Sequence, residues 1–268
     1  MSFKVVIPSR LASVRLPEKP LQRLIDRPLV QHVYERAAAS GAEEVLIATE
    51  SEKVAEVCRG FGARAVLTSD AHRCGTERVA EVASKEGWPD DTIVVNVQGD
   101  EPLMPSMLVD QVAMLIAASA TPLATLAWPI ANTTEMCDPI IVKVVVDQHG
   151  DALYFSRAPI PWNRDLPPTR DGAPLTLALR HIGLYAYRAG PLRALAAAPP
   201  CELEDIEKLE QLRALYLGLR IRVGHAETLP GPGVDTEADL QRVARMMAGP
   251  GCLPQGAPKH GPKAGTER

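Results

Sequence analysis

The stretch Phe3-Lys4-Val5-Val6-Ile7-Pro8-Ser9-Arg10-Leu11-Ala12-Ser13-Val14-Arg15-Leu16-Pro17-Glu18-Lys19-Pro20-Leu21 decides the fold. Residues 3–7 are a short apolar run that reads as a buried first strand, and Pro8 ends it. The loop that follows carries three cations, Arg10, Arg15 and Lys19, and two hydroxyls, Ser9 and Ser13. In an open α/β sheet the ligand lies beyond the carboxyl ends of the strands, where this loop must be. Backbone N–H groups and cationic side chains there suit a triphosphate. The plainer alternative is a solvated basic loop. Pro17 and Pro20 stiffen the segment and favour anion binding.

Beyond this loop, strand patterns at 44–49, 63–68 and 92–97 alternate with helical patterns at 29–40, 52–61 and 77–85. That alternation predicts an α/β fold, a parallel sheet with helices on its faces. In the second helix Val54, Val57, Cys58 and Phe61 recur at helical spacing, with Ser51 as its N-cap. A further helix, 107–118, follows the start signal Pro105-Ser106. From Pro122 the pattern changes to a hairpin (142–146 and 152–157, turning at 147–151) and a strand at 182–187. Between these lies 159–174, whose five prolines predict a structured excursion or lid. Helices at 204–217 and 237–247 flank a strand at 221–226. The chain thus reads as one domain, 1–247, with a β-rich subregion at about 122–190. A Gly/Pro-rich tail, 248–268, is expected to be disordered and without function.

Composition narrows the function. The chain has 268 residues, 46% of them apolar and 23% charged, and a net charge of −4. That balance excludes nonspecific binding to nucleic acid or to a membrane surface, which calls for a basic face. No apolar run approaches the roughly 20 residues that span a bilayer. The five cysteines are scattered without a C-x-x-C pair, and Met1–Lys4 runs straight into a strand without the organisation of a signal peptide. A cytoplasmic protein with reduced thiols is expected.

Further segments carry chemistry. Val95-Asn96-Val97-Gln98-Gly99-Asp100-Glu101-Pro102 ends an apolar strand in an amide, a glycine and two carboxylates. Pro102 keeps the acids out of a helix, and Asp100 at a strand end is placed to hold magnesium on nucleotide phosphates. The plain alternative is an Asp that caps a turn. Gly99 would let backbone approach the ligand closely. One carboxylate holds magnesium poorly, so a partner is expected, and Asp235 in Gly233-Val234-Asp235-Thr236 is the best candidate; it would otherwise cap the last helix. Cys74-Gly75-Thr76-Glu77-Arg78 leads into a helix, and Thr76 is either a ligand-facing hydroxyl or an N-cap. Arg157, Arg164 and Arg180 are suited to clamp a carboxylate. Glu207 and Glu210, three apart on a helix whose buried face is Ile206, Leu209, Leu212 and Leu215, most simply face water.

These segments together resemble the 3-deoxy-manno-octulosonate (Kdo) cytidylyltransferases, the CMP-Kdo synthetases. The matching stretches are 7–21, 74–78, 95–102, 142–145, 152–161, 180–187, 206–213 and 230–236; Asn96–Pro102 and the Leu-Tyr-Phe-Ser-Arg run at 153–157 are the most specific. The resemblance implies a Rossmann-like nucleotidyltransferase three-layer sandwich on a mainly parallel mixed sheet, with the β-rich subregion serving dimerisation and substrate. It implies a homodimer that converts CTP and Kdo into CMP-Kdo and pyrophosphate, activating the sugar for lipopolysaccharide biosynthesis. By the same resemblance Arg10, Ser13, Lys19, Thr76 and Arg78 bind CTP. Asp100 and Asp235 bind Mg2+, and with Lys19 and Arg10 are the catalytic set. Gln98, Arg157, Arg164, His181, Tyr185 and Glu210 line the Kdo pocket. The chain departs from the family pattern at Glu18, where Gly stands before Lys-Pro, and at Ile140-Ile141, which replace a polar stretch. A carboxylate at position 18 is compatible with a triphosphate only if it points outward. Rival readings are a cytidylyltransferase for a sialic acid, a glycosyltransferase, which would usually show Asp-x-Asp, and a nonenzymatic nucleotide-binding protein.

Overall fold

The computed structural model describes residues 2–167, 175 and 177–249. The tail from 250 and the end of the proline-rich excursion lie outside the described residues.

The chain begins with β1 (Lys4–Pro8), a short 3-10 turn (Lys19–Leu21) and a two-strand ribbon, β2 (Arg23–Leu24) and β3 (Arg27–Pro28). Then come α1 (Leu29–Ala38), β4 (Glu44–Thr49), α2 (Glu52–Gly60), β5 (Arg64–Leu67), α3 (Gly75–Lys85), β6 (Ile93–Asn96) and α4 (Ser106–Ala117). The second half adds β7 (Leu123–Pro129), α5 (Thr133–Cys137), β8 (Lys143–Val146), β9 (Ala152–Ser156), β10 (Leu179–Arg188) and α6 (Ala189–Ala197). It closes with α7 (Glu202–Glu207), α8 (Gln211–Tyr216), β11 (Ile221–His225) and α9 (Glu237–Ala248).

The central sheet runs β11-β7-β10-β6-β1-β4-β5, with β8 and β9 attached through β10. Strands β6, β1, β4 and β5 pair in parallel, as do β11 and β7, while β10 lies antiparallel between β6 and β7. Alternation along β1 builds the layers. Val5 and Ile7 join one core with Val30, Val33 and Ala37 of α1 and Leu108 and Val112 of α4. Val6 joins the opposite core with Val79 and Val82 of α3 and Leu192 and Leu195 of α6. Helices cover both faces, as the alternation of strand and helix patterns predicts, giving the three-layer sandwich that the family resemblance implies.

Two departures bear on the site. Residues 123–129 form the buried strand β7, which the change of pattern at Pro122 concealed. The single helix expected over 204–217 is instead two short helices, broken where Lys208 adopts a left-handed conformation (φ 54°). The break rotates α8 relative to α7. Ile206 is therefore 78% exposed instead of core, while Leu209 and Leu212 remain buried.

Candidate active site

A cavity of about 320 Å³ opens above the carboxyl ends of β1 and β6. The loop after β1 supplies Ser9, Arg10, Ser13, Arg15 and Lys19; the entry to α3 supplies Arg73, Cys74, Gly75 and Arg78; the turn after β6 supplies Gln98 to Asp100. Gly99 is required here by packing between the strand-end loops: a Cβ would sit 2.6 Å from the carbonyl oxygen of Pro8. Its backbone therefore closely approaches the first loop, and it also lines the cavity.

Lys19 Nζ lies 2.8 Å from Asp100 Oδ2 and 3.0 Å from Asp235 Oδ1, and Arg15 reaches the same Asp235 oxygen at 3.1 Å. Burial opposes the charge on Lys19, but Asp100 and Asp235 outweigh it and hold the ammonium above its ordinary pKa. Beside them, burial and then the charges of Asp100 and Asp235 push the Glu101 carboxyl up to about 8. Asp235 does not cap the last helix. Thr236 does, in a capping box with Asp239, which leaves the Asp235 carboxylate for the cavity. The pair already converges on a cation, so these oxygens suit a hard divalent ion that keeps water and phosphate oxygens as its other ligands. No group of three or more His, Cys, Asp or Glu arranged to hold a metal occurs among the described residues.

The expected nucleotide-binding residues divide by role. Arg10 and Ser13 line the cavity, and Arg10 takes part in no ion pair among the described residues. Arg78 also lines it, yet is 4% exposed and bound to Thr68 and Glu50. Glu50 in turn accepts from the backbone N–H of Leu11 at 2.7 Å, so Arg78 braces the loop after β1. At the start of α3 the N-cap is Cys74, with no side-chain cap. Thr76 is not the cap: its hydroxyl donates to Glu210 Oε2 at 2.7 Å. The helix start thus has no side-chain cap, and Cys74 and Gly75 line the cavity, a favourable place for phosphate. Glu18 points outward. Its backbone is left-handed (φ 50°, ψ 37°) and its carboxylate is held at 2.7 Å by Lys53.

A second cavity, of about 260 Å³, adjoins the first, and Gln98 and Glu210 line both. Thr76, His181, Tyr185, Tyr187 and Lys208 complete its polar wall with Asn96 and Gln211. Burial pushes His181 down to about 3, so the imidazole is neutral, and burial likewise raises the Tyr185 and Tyr187 phenols. Both ends of the Asn96 amide, Tyr185 OH and Gln211 Nε2 are sealed from solvent without a well-formed hydrogen bond. Asn96, Tyr185 and Gln211 all line this cavity, so its wall holds hydrogen-bonding capacity that the protein leaves unused. Asn96 was legible as a lone amide within an apolar strand; Gln211 carried no signal beyond its neighbour Glu210.

Arg157 and Arg164 line neither cavity. Arg157 is held by its own N–H and Nε to Glu207 and by a terminal nitrogen to the Pro139 carbonyl. Arg164 is exposed in the excursion. Glu207 and Glu210 do not share a water-facing surface, because the break at Lys208 sends Glu207 to Ser156 and Arg157 and Glu210 to Thr76.

Comparison with known proteins places this geometry. The cytidylyltransferase family model matches residues 4–221. A 3-deoxy-manno-octulosonate cytidylyltransferase from Thioalkalivibrio sulfidiphilus is 53% identical over 92% of this chain and 99% of its own length. The chain belongs to the 3-deoxy-manno-octulosonate cytidylyltransferase family. Within that family, an enzyme of the same name from Pseudomonas fluorescens is 52% identical, covering 92% of this chain and 98% of that one. A solved CMP:2-keto-3-deoxy-manno-octonic acid synthetase complexed with CTP superposes with a TM-score of 0.82 at 40% identity, over 92% of this chain and 98% of the other. A cytidylyltransferase from Leptospira borgpetersenii shares the fold alone, at 15% identity and a TM-score of 0.58 over 92% of this chain and 86% of that one.

Proposed function

We propose that this chain transfers CMP from CTP to the anomeric hydroxyl of Kdo and releases pyrophosphate. The observation that carries the reading is the pair of adjoining cavities: one lined by Arg10, Arg15 and Lys19, the other by hydroxyl, amide and imidazole groups, with Gln98 and Glu210 between. The first suits a triphosphate and the second a polyhydroxylated acid. In this reading the α-phosphorus and the sugar hydroxyl meet at the wall that Gln98 and Glu210 share. Family membership supports the choice of both substrates.

The transfer needs no covalent nucleophile. The anomeric oxygen bonds to the α-phosphorus, the bond to the β-phosphate bridge breaks, and the hydroxyl proton is lost. What the protein supplies is positioning and charge neutralisation. Arg10, Lys19 and the open helix start at Cys74–Gly75 take up the negative charge that grows on the leaving pyrophosphate. Gln98 and Glu210 position the sugar hydroxyl, and Thr76 fixes Glu210. Asp100 and Asp235 would hold magnesium. The ion would polarise the α-phosphate and lower the pKa of the attacking hydroxyl. Lys19, which here neutralises both carboxylates, would then be free to pair with phosphate.

A homodimer fits the exposed apolar side chains Ile140, Leu153, Trp162 and Leu177 of the β-rich subregion. A cytoplasmic setting fits the unbridged Cys58, Cys74 and Cys201. No helix of the described residues is long and apolar enough to cross a membrane. Pyrophosphate release tests the reading directly. CTP and Kdo with magnesium should give turnover, while CTP with a sialic acid, or CTP and Kdo in a chelator, should give little. Turnover with the sialic acid and none with Kdo would remove Kdo as the substrate.

A further inference from the structure

Thr125 lies on β7 with no exposed surface, one strand away from the second cavity. It stands at an irregularity. Leu126 pairs with Ile182 of β10, but Thr125 pairs with Tyr185, so Gly183 and Leu184 bulge out of register. The Thr125 hydroxyl sits in the bend, 2.8 Å from the Leu184 carbonyl oxygen, 3.1 Å from that of Ile182 and 3.0 Å from His181 Nε2.

A hydroxyl has one proton to donate, and carbonyl oxygens can only accept. Were that proton given to His181, two carbonyl lone pairs would face the Thr125 oxygen inside a sealed site. The proton therefore goes to the bulge carbonyls, and Oγ1 accepts from the imidazole. The His181 ring itself is fixed between Phe155 and Tyr185, each with its centroid 5.1 Å away. With Nε2–H committed to Thr125, Nδ1 keeps its lone pair, and among the described residues no group donates to it.

We propose that Thr125 is a positioning residue of the sugar-acid cavity: it locks His181 as the Nε2–H tautomer and so presents Nδ1 to a sugar hydroxyl as an acceptor. The burial that keeps His181 neutral supports this, because a protonated ring would offer no acceptor. The same hydroxyl holds the bulge that carries Gly183 into the cavity wall. This inference rests on the reading of the second cavity as the Kdo site.

The test uses the full chain labelled with 15N-histidine, with the His181 signals assigned by their loss in His181→Gln. The wild type should show a protonated Nε2 and a bare Nδ1. In Thr125→Val the signals should move toward a mixture of tautomers, and KM for Kdo should rise about tenfold, the worth of one buried hydrogen bond. KM for CTP should change less than about twofold, as expected for loss of a contact made only with the sugar. Thr125→Ser should restore both the spectrum and KM. A proton on Nδ1 in the wild type would overturn the proposal, as would a Val variant with unchanged tautomer and unchanged KM. If Thr125→Val does not fold, the wild-type and Ser spectra still decide the tautomer. A wild-type protein that shows the expected tautomer but does not turn over Kdo would overturn the ligand-facing half through the site reading, while the tautomer lock would stand.

Discussion

Asp100 and Asp235 share one ammonium: Lys19 Nζ is 2.8 Å from the first and 3.0 Å from the second, although they come from the turn after β6 and the approach to α9. Remote segments deliver two charges of one sign to one point, and only a cation makes that arrangement stable. Asp100→Asn and Asp235→Asn should each slow pyrophosphate release by about two orders of magnitude or more at saturating CTP and magnesium. A rate near that of the wild type in either variant would mean that the pair serves Lys19 alone.

Much of this was legible in the sequence, and the reasons differ by segment. The parallel half declared itself because each buried strand is a continuous apolar run set between amphipathic helices. Asp100 was legible because two acids and a proline at a strand end exceed what a turn requires. For Asp235 the sequence left cap and ligand open, since Thr236 is an equally good cap; the observed capping box excludes the cap role. The break at Lys208 was hidden: a lysine carries no signal for a left-handed backbone, and the apolar spacing across 206–215 is that of one continuous helix. Thr125 was hidden too, since a buried threonine is an ordinary strand residue until a bulge is placed opposite it.

Glu18 occupies a backbone conformation that favours glycine, and its carboxylate is turned to Lys53, away from the cavity. Glu18→Gly should therefore keep CTP turnover within about twofold of the wild type, because the φ is already one that glycine adopts freely. Glu18→Pro, with φ fixed near −65°, cannot make the turn that places Lys19, and should lower turnover at least about tenfold. Steady-state rates of both variants, with circular dichroism to establish folding, check this. Equal losses in the two would show that the carboxylate itself is needed.

Arg213 is 3% exposed and makes two bonds to Glu204, while also lying 3.5 Å from Glu77. The bonds to Glu204 raise its pKa further above an already high value. Arg213→Leu would leave buried carboxylates facing each other without a cation. It should destabilise the protein by about 3 kcal/mol, read from denaturant unfolding. Arg213→Lys should recover part of the loss. A Leu variant as stable as the wild type would show that the acids find water or take up protons at little cost.

His181 sets a pH dependence whose sign follows from its burial. Desolvation holds the folded-state pKa at about 3, whereas an unfolded histidine titrates near 6.5. Between those values the unfolded chain binds a proton that the folded protein refuses. The stability contributed by the neutral ring is therefore complete above about pH 6.5 and is lost as pH falls toward 3, by about 1.4 kcal/mol per unit. From pH 7 to pH 5 the wild type should lose about 2 kcal/mol more than His181→Gln, whose side chain does not titrate. Denaturant unfolding of the two proteins at both pH values isolates this difference, because the other acids and histidines are common to both. Parallel losses would mean that His181 takes up its proton in the folded state, and the neutral acceptor assigned to Nδ1 would then be absent at the lower pH.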